Sequence, residues 1–181
     1  MRKALLVVCV LFAIPLFAQQ SEIQVSVFAT DPGYAQSQST GSNFTGGIGA
    51  ALEYRWNQRW ALELQVSREE RDRTLVRIDP DPVVPPVQRL QGTAYPIDLL
   101  LHYRFENASR WKPFLGAGVR YERSAFRQFD ENRTLFEVDG GVHFMITPAL
   151  SLRLDAKQLL ADDNGHFDSS IRPSIGFGWK F

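Results

Sequence analysis

The chain ends in the stretch IRPSIGFGWKF, residues 171–181, in which every second residue is apolar. Arginine, serine, two glycines and lysine alternate with these apolar residues, and the last residue, Phe181, is aromatic. A period of two over this length predicts a β-strand whose two faces lie in different surroundings. Such alternation is typical of a strand in a transmembrane β-barrel.

Seven further segments of the same kind precede the last one. They are predicted at about residues 22–30, 44–56, 60–66, 95–105, 113–121, 136–146 and 150–156. Short connections fall at 57–59, 106–112 and 147–149, and long polar ones at 31–43, 68–92, 124–133 and 161–170. The fold class predicted is all-β, an eight-stranded antiparallel up-and-down transmembrane β-barrel. Because such barrels keep their short turns in the periplasm, we expect both the N- and C-termini there.

The N-terminus has the features of a secretory signal peptide. Arg2 and Lys3 precede a short apolar run, and a small residue follows at Ala18. We therefore predict a cleavable signal peptide at residues 1–18 and an outer-membrane barrel domain at 19–181. The only cysteine, Cys9, would leave with the signal peptide, and the mature chain would carry a net charge of −2. A chain with this charge does not have the excess of basic residues that a nucleic-acid-binding surface requires.

The aromatic residues indicate where the barrel meets the membrane surface. All four tryptophans lie beside a short turn or the C-terminus, which predicts one aromatic girdle at the periplasmic interface. The predicted girdle and C-terminal assembly signal comprise Trp56, Trp60, Trp111, Phe177, Trp179 and Phe181. A terminal phenylalanine after alternating aromatics resembles the signal that the outer-membrane assembly machinery recognises. The expected partners are therefore this machinery, outer-membrane lipid and lipopolysaccharide.

The glycines decide which strand face points inward. A soluble eight-stranded barrel would also alternate, but its apolar face would have to fit inside. Several glycines fall on the polar faces of the strands: Gly47, Gly49, Gly116, Gly118, Gly141, Gly176 and Gly178. Glycine suits the crowded side of a narrow barrel, so we predict that the polar face lines the lumen and the apolar face contacts lipid.

Acidic and basic residues alternate along this predicted lumen. The predicted lumen-lining polar network comprises Glu53, Arg55, Glu63, Asp98, His102, Arg104, Arg120, Glu122, Glu137, Asp139, Arg153, Asp155, Lys157 and Arg172. Isolated ions in so narrow a space are costly unless they are paired. We therefore predict a salt-bridge network that fills and stiffens the barrel, with a catalytic or selectivity role for these groups as the alternative.

Three features could suggest more specific chemistry. His102 and Asp98 share a strand face, but four residues of strand span about 13 Å, which excludes a direct hydrogen bond between them. His143 is expected to lie in the same network. Residues 162–170 are rich in Asp, Asn, Gly and Ser, which suggests a calcium loop or a Ser/His/Asp site. They lack the spacing of an EF-hand, and an exposed turn needs the same residues, so we expect no metal, cofactor or catalytic residue.

Four stretches link the chain to a known family. They are YRWNQRWALEL at 54–64, YPIDLLLHYRF at 95–105, KPFLGAGVRY at 112–121 and the final Gly-x-Gly-aromatic segment. With these stretches the chain resembles the OmpW family of outer-membrane proteins, within the superfamily of OmpA/OmpX-like barrels. The resemblance implies an eight-stranded barrel with a narrow passage for small hydrophobic molecules. The charged inward positions depart from that pattern.

The resemblance also separates the functional alternatives. A lipid A deacylase barrel would be expected to carry a His-x-Ser motif near the seventh strand, where this chain reads DAKQLL at 155–160. We therefore expect a non-enzymatic, monomeric, porin-like protein of the Gram-negative cell envelope that passes a small hydrophobic solute. The alternative is a closed structural or surface-binding, adhesin-like barrel that acts through its extracellular loops.

Overall fold

The computed structural model describes residues 21–30, 42–76, 87–126, 130–163 and 166–181. They form eight strands: β1 Glu22–Thr30, β2 Ser42–Arg55, β3 Trp60–Val76, β4 Val87–Arg104, β5 Trp111–Phe126, β6 Asp130–Met145, β7 Leu150–Asp163 and β8 His166–Lys180. Each strand pairs antiparallel with the next, and β1 also pairs with β8, which closes the sheet. The predicted eight-stranded up-and-down barrel is thereby confirmed. The predicted signal peptide lies outside the described residues.

Several strands extend further than the sequence predicted. β3 continues to Val76 and β4 begins at Val87, so the prediction of one long loop over 68–92 was wrong. Backbone pairing continues through this segment, where Glu70 lies opposite Thr93. Polar residues on both strand faces remove the alternation by which a strand is recognised, although they leave the backbone hydrogen bonds intact. The strands β5, β6, β7 and β8 likewise extend into the predicted loops 124–133 and 161–170.

Short turns gather at one end of the barrel, which we call the turn end; the opposite end is the loop end. The turns occupy residues 56–59, 105–110 and 146–149. In the first, the side-chain oxygen of Asn57 accepts hydrogen bonds from the backbone N–H groups of Arg59 and Trp60, at 2.8 and 2.7 Å. Thr147 accepts a similar bond from the Leu150 N–H at 2.9 Å. These local bonds explain why so few residues reverse the chain.

The strand faces have the orientation predicted from the glycines. Large apolar side chains such as Leu99 and Phe177 are about half exposed on the outside, with 45 % and 54 % exposed, whereas Gly176 and Gly178 are buried. The interior instead holds mainly polar and charged side chains. No helix within the described ranges is long and apolar enough to span a membrane.

Aromatic residues cluster at the turn end. Trp60 packs edge-on against Tyr103 with ring centroids 5.1 Å apart, and Tyr103 packs against Phe105 at 5.2 Å. Trp111 contacts Phe144 at 4.7 Å. Of the predicted girdle and signal residues, Trp56 is half-buried, and the others are exposed: Trp60, Trp111, Phe177, Trp179 and Phe181. The backbone N–H of the last residue donates to the Ile23 carbonyl at 2.9 Å, which ties the C-terminus to β1.

A closed wall with continuous strand pairing should resist detergent at room temperature. We expect the folded protein in SDS to migrate differently on a gel before and after boiling, because only heating opens the barrel. Samples refolded in detergent micelles and loaded with and without boiling provide the measurement. Identical migration of the two samples would contradict the closed barrel.

Candidate functional site: the charged interior

All of the predicted lumen-lining residues lie on the inward face of the barrel. Their side chains are buried except that of Arg55, which lies near the turn end and is half-buried. The interior also contains His143, which the sequence analysis placed in the same network, and polar residues outside the predicted set: Gln24, Gln65, Glu69, Ser151 and Ser174. The charged residues form three groups along the barrel axis, which we call the turn-side, central and loop-side clusters.

Arg153 on β7 forms the core of the central cluster. Its guanidinium contacts Glu63 and Asp155, both at 2.5 Å, and Asp139 at 3.7 Å. The same guanidinium lies over the ring of Phe114, 5.1 Å from its centroid. One buried arginine therefore joins carboxylates from β3, β6 and β7 across the interior.

His102 on β4 finds its hydrogen-bond partner on a different strand, β6. Its Nε2 lies 3.0 Å from Asp139 Oδ2, and its Nδ1 faces Glu53 and Glu63 at 3.6 and 3.9 Å. Gly116 lies between His102 and Asp139 in the register of the sheet, since β5 separates β4 from β6. A Cβ atom at Gly116 would overlap both side chains. The missing side chain at this glycine thus leaves room for the hydrogen bond.

The loop-side cluster combines acidic residues with three cations. Arg120 donates to Glu69 and lies 3.4 Å from Asp98 and 3.6 Å from Glu122. Arg172 on β8 contacts the other oxygen of Glu69 at 2.8 Å.

Lys157 completes this cluster from β7. Its Nζ lies 3.0 Å from Glu137 and 3.3 Å from Asp98. Together the contacts of Arg120, Arg172 and Lys157 connect β3, β4, β5, β6, β7 and β8 across the interior.

The turn-side cluster contains the cations nearest the turns. Arg104 contacts both oxygens of Glu53 at 2.6 Å. Arg55 contacts Glu22 at 2.5 Å and Glu53 at 3.5 Å, and Lys180 contacts Glu22 at 2.5 Å. These carboxylates are therefore shared between cations.

Among the side chains that the structure describes, Glu69 is the charged interior residue that the sequence did not predict. It was assigned to the predicted loop because apolar alternation ends at Val66. Glu63, Gln65 and Glu69 lie at alternate positions of β3 that all face inward. Extending this period of two past Val66 would have identified Glu69 as an interior residue. Its partners Arg120 and Arg172 are far away in sequence, so only closure of the barrel brings the three together.

One group of side chains among the described residues has the spacing of a metal site. Glu53, Glu63 and His102 offer ligand atoms within 4.8 Å of one another. Arg104 and Arg153 already contact the two carboxylates, so a cation would compete with both arginines. The calcium or Ser/His/Asp site considered at 162–170 falls largely on side chains outside the described set.

Comparison with known proteins agrees with this architecture. Residues 4–181 match the family model described as outer membrane protein beta-barrel domain. No curated protein sequence matches the chain. The fold is similar to that of OprG from Pseudomonas aeruginosa, with a TM-score of 0.62 and 14 % identity over 91 % of this chain and 96 % of that one.

Two other solved barrels show the same likeness. The N-terminal β-barrel domain of Pseudomonas aeruginosa OprF gives a TM-score of 0.61 and 11 % identity, covering 90 % of this chain and 100 % of that one. Neisserial surface protein A gives 0.59 and 18 %, covering 89 % and 97 %. At these identities the likeness shows the fold alone, whereas the family match spans nearly the whole chain. The chain therefore belongs to the outer membrane β-barrel family, as a small eight-stranded barrel located in the outer membrane.

Proposed function

We propose that this protein is a closed, non-enzymatic barrel whose ion pairs seal the interior, and that it acts through the surface at its loop end. The observation that carries this proposal is the contact of Arg153 with three carboxylates from three strands. Solute moving along the axis would have to separate these charges, and breaking a buried pair leaves an uncompensated charge at a cost of several kcal/mol.

The buried carboxylates also support the absence of an enzymatic role. The carboxylates of the central and loop-side clusters each lie within 4.0 Å of a cationic side chain, which limits their availability as general acids or bases. These ion pairs hold the strands together, and their cations take the positions from which a substrate would approach the carboxylates. We further propose that the protein is a monomer, supported by a sheet that one chain closes by itself, with no free strand edge along the paired wall for a second copy.

Bilayer conductance tests the closure. We expect the refolded wild-type protein to give no stepwise current across a planar bilayer. The double variant Glu63→Ala/Arg153→Ala removes both side chains of the central ion pair and should open a conducting path. Arg123→Ala/Asp130→Ala removes an exposed pair of similar chemistry, at 3.0 Å, and should remain silent. Steady current through the wild type would contradict the sealed interior.

The second candidate function is the passage of small hydrophobic molecules that the resemblance to the OmpW family implies. One observation favours it: apolar side chains replace charges in part of the interior towards the loop end, namely Phe28, Leu135, Leu159 and Ala94. Near Phe28 an apolar cavity of about 690 Å³ opens on the outer wall between β8, β1, β2 and β3. A solute would then leave sideways into lipid instead of crossing the charged clusters.

Uptake of a hydrophobic dye into vesicles distinguishes the two candidates. If the passage operates, vesicles with the wild-type protein should take up the dye faster than empty vesicles. Ala29→Phe, which places a ring in the apolar cavity, should slow that uptake. Ala117→Phe adds the same ring on the outer face of β5, away from the cavity, and should leave uptake unchanged. Equal uptake with and without the protein would exclude the passage and favour the closed barrel.

We also propose that the turn end and both termini lie in the periplasm. The short turns gather at that end, as is usual for outer-membrane barrels. The one cysteine of the chain lies in the predicted signal peptide, so Ala108→Cys in an exposed turn would introduce a unique thiol. An impermeant maleimide should label it only after the outer membrane is permeabilised. Labelling in intact cells would reverse the orientation.

A further inference from the structure

The turn end of the barrel contains a chamber that the ion-pair clusters do not fill. Its volume is about 490 Å³. Side chains from six strands and two turns surround it, and its polar lining includes Gln24, Arg55, Gln58, Arg104, Lys112 and Lys180. The chamber lies at the mouth of the barrel, so a solute can enter it without crossing the central cluster.

Cations outnumber carboxylates around this chamber. Arg55, Arg104, Lys112 and Lys180 supply four positive charges. Within the described residues, the carboxylates that contact these cations are Glu22 and Glu53. Glu106 also borders the chamber, but its charge is offset by Arg59 at 3.3 Å. The chamber therefore carries an excess of two positive charges.

The same cations retain unused hydrogen-bond donors. The buried Nε atoms of Arg55 and Arg104 have no hydrogen-bond partner among the described residues. Arg104 is 6 % exposed, so water compensates little for the missing bond. The Lys112 ammonium donates to the backbone carbonyl of Asn107 at 2.5 Å, and it has two further hydrogens. Guanidinium and ammonium groups with free donors form the usual binding site for a phosphate group.

We propose that the turn-end chamber binds a phosphate group, either as inorganic phosphate or as the phosphate monoester of a small molecule. A phosphate monoester carries a charge of about −1.5 to −2 at neutral pH, which matches the excess of two positive charges. Its several oxygens can accept bonds from the lysine ammonium groups and from the guanidinium groups that line the chamber. Phe105 and Met145 border the same chamber and offer an apolar surface to the organic part of an ester. The site shares Arg55, Arg104 and Lys180 with the turn-side cluster, but phosphate binding there does not require the interior to be open or closed.

Calorimetry on the refolded mature chain in a non-ionic, phosphate-free detergent tests the site. Inorganic phosphate and glycerol 3-phosphate are titrated separately at low ionic strength, with acetate as a singly charged comparison. We expect about one equivalent of either phosphate ligand to bind, and acetate to bind more weakly. Tighter binding of glycerol 3-phosphate would identify a monoester as the ligand, and equal binding would identify inorganic phosphate; both support the proposal.

Lys112→Gln is the informative variant because it removes a chamber cation that has no carboxylate partner among the described residues and donates to a backbone carbonyl. Its affinity for phosphate should fall about tenfold, as for loss of one hydrogen bond to a charged group. Lys112→Arg should retain binding. Arg110→Gln removes an exposed cation at the same end that does not border the chamber, and should change affinity less than about twofold.

The migration difference between unboiled and boiled samples verifies that each variant folds. Absence of phosphate binding by the wild type would overturn the proposal. Equal weakening in Lys112→Gln and Arg110→Gln would also overturn it, because it would show diffuse attraction to the basic turn end rather than a site.

Discussion

Replacement of Arg153 by methionine is expected to lower the free energy of unfolding by about 3–5 kcal/mol, the largest loss that we predict for a single substitution. Methionine fills much of the arginine volume but leaves Glu63 and Asp155 without the guanidinium that lies 2.5 Å from each. These carboxylates are buried, so water cannot take over the role of the cation. Urea unfolding of the refolded barrel in vesicles, followed by tryptophan fluorescence, measures the change.

The chain offers a matched control for this experiment. Arg123→Met removes an arginine from the Arg123–Asp130 pair at 3.0 Å, whose side chains are 63 % and 54 % exposed. Solvent screens an exposed pair, which contributes little to stability, so this variant should unfold close to the wild type. Equal losses in the two variants would show that the interior charges contribute no more than surface charges, and the proposed seal would lose its energetic basis.

Replacement of Leu99 by arginine is expected to cost about 2–4 kcal/mol because it places a charge at the middle of the lipid-facing band. Leu99 is on the outer face of β4, four residues from Tyr103 at the turn end and four from Tyr95 at the loop end. Its neighbours across the sheet, Leu64 and Val119, are also apolar and outward. The free energy of unfolding in vesicles is again the quantity measured.

Thr134→Arg is the control, because it places the same charge near the edge of the lipid-facing band instead of at its middle. Thr134 is exposed on β6 and lies opposite Tyr121, near the loop end of the band. An arginine there can reach the interface, so the cost should be about 0–1 kcal/mol. A soluble barrel would tolerate both substitutions alike. Similar small effects at Leu99 and Thr134 would therefore contradict the assignment of this surface to lipid.

The fold was predictable because its main signal is local. Strand alternation and the inward glycines, such as Gly176, depend on a period of two that each segment shows by itself. Strand ends were less predictable, because residues 68–76 and 87–92 lose the apolar face where the wall leaves the lipid. The backbone pairing that continues there depends on a neighbouring strand, which no single segment reveals.

The partners within the interior could not be predicted for a different reason. The alternation of β4 placed His102 in the lumen, and the distance along the strand excluded Asp98 as its direct hydrogen-bond partner. The sequence did not identify Asp139 as that partner. These two residues lie on β4 and β6, and their approach depends on the register of both strands with β5 and on the absence of a side chain at Gly116. Glu69 escaped notice for the related reason that its strand extends beyond the apolar pattern.

The distribution of charge between early and late strands has a consequence for folding. The inward carboxylates of β3 find their arginines on later strands: Glu63 on β7, and Glu69 on β5 and β8. Glu53 on β2 has Arg55 on its own strand at 3.5 Å, but its closer partner, Arg104, lies on β4. A partly inserted sheet of early strands would expose unneutralised acids to the hydrocarbon. We therefore expect insertion to be an all-or-none event in which β8 must arrive before the first strands are stable in lipid. The C-terminal strand would then complete the charge balance of the whole barrel as well as its wall.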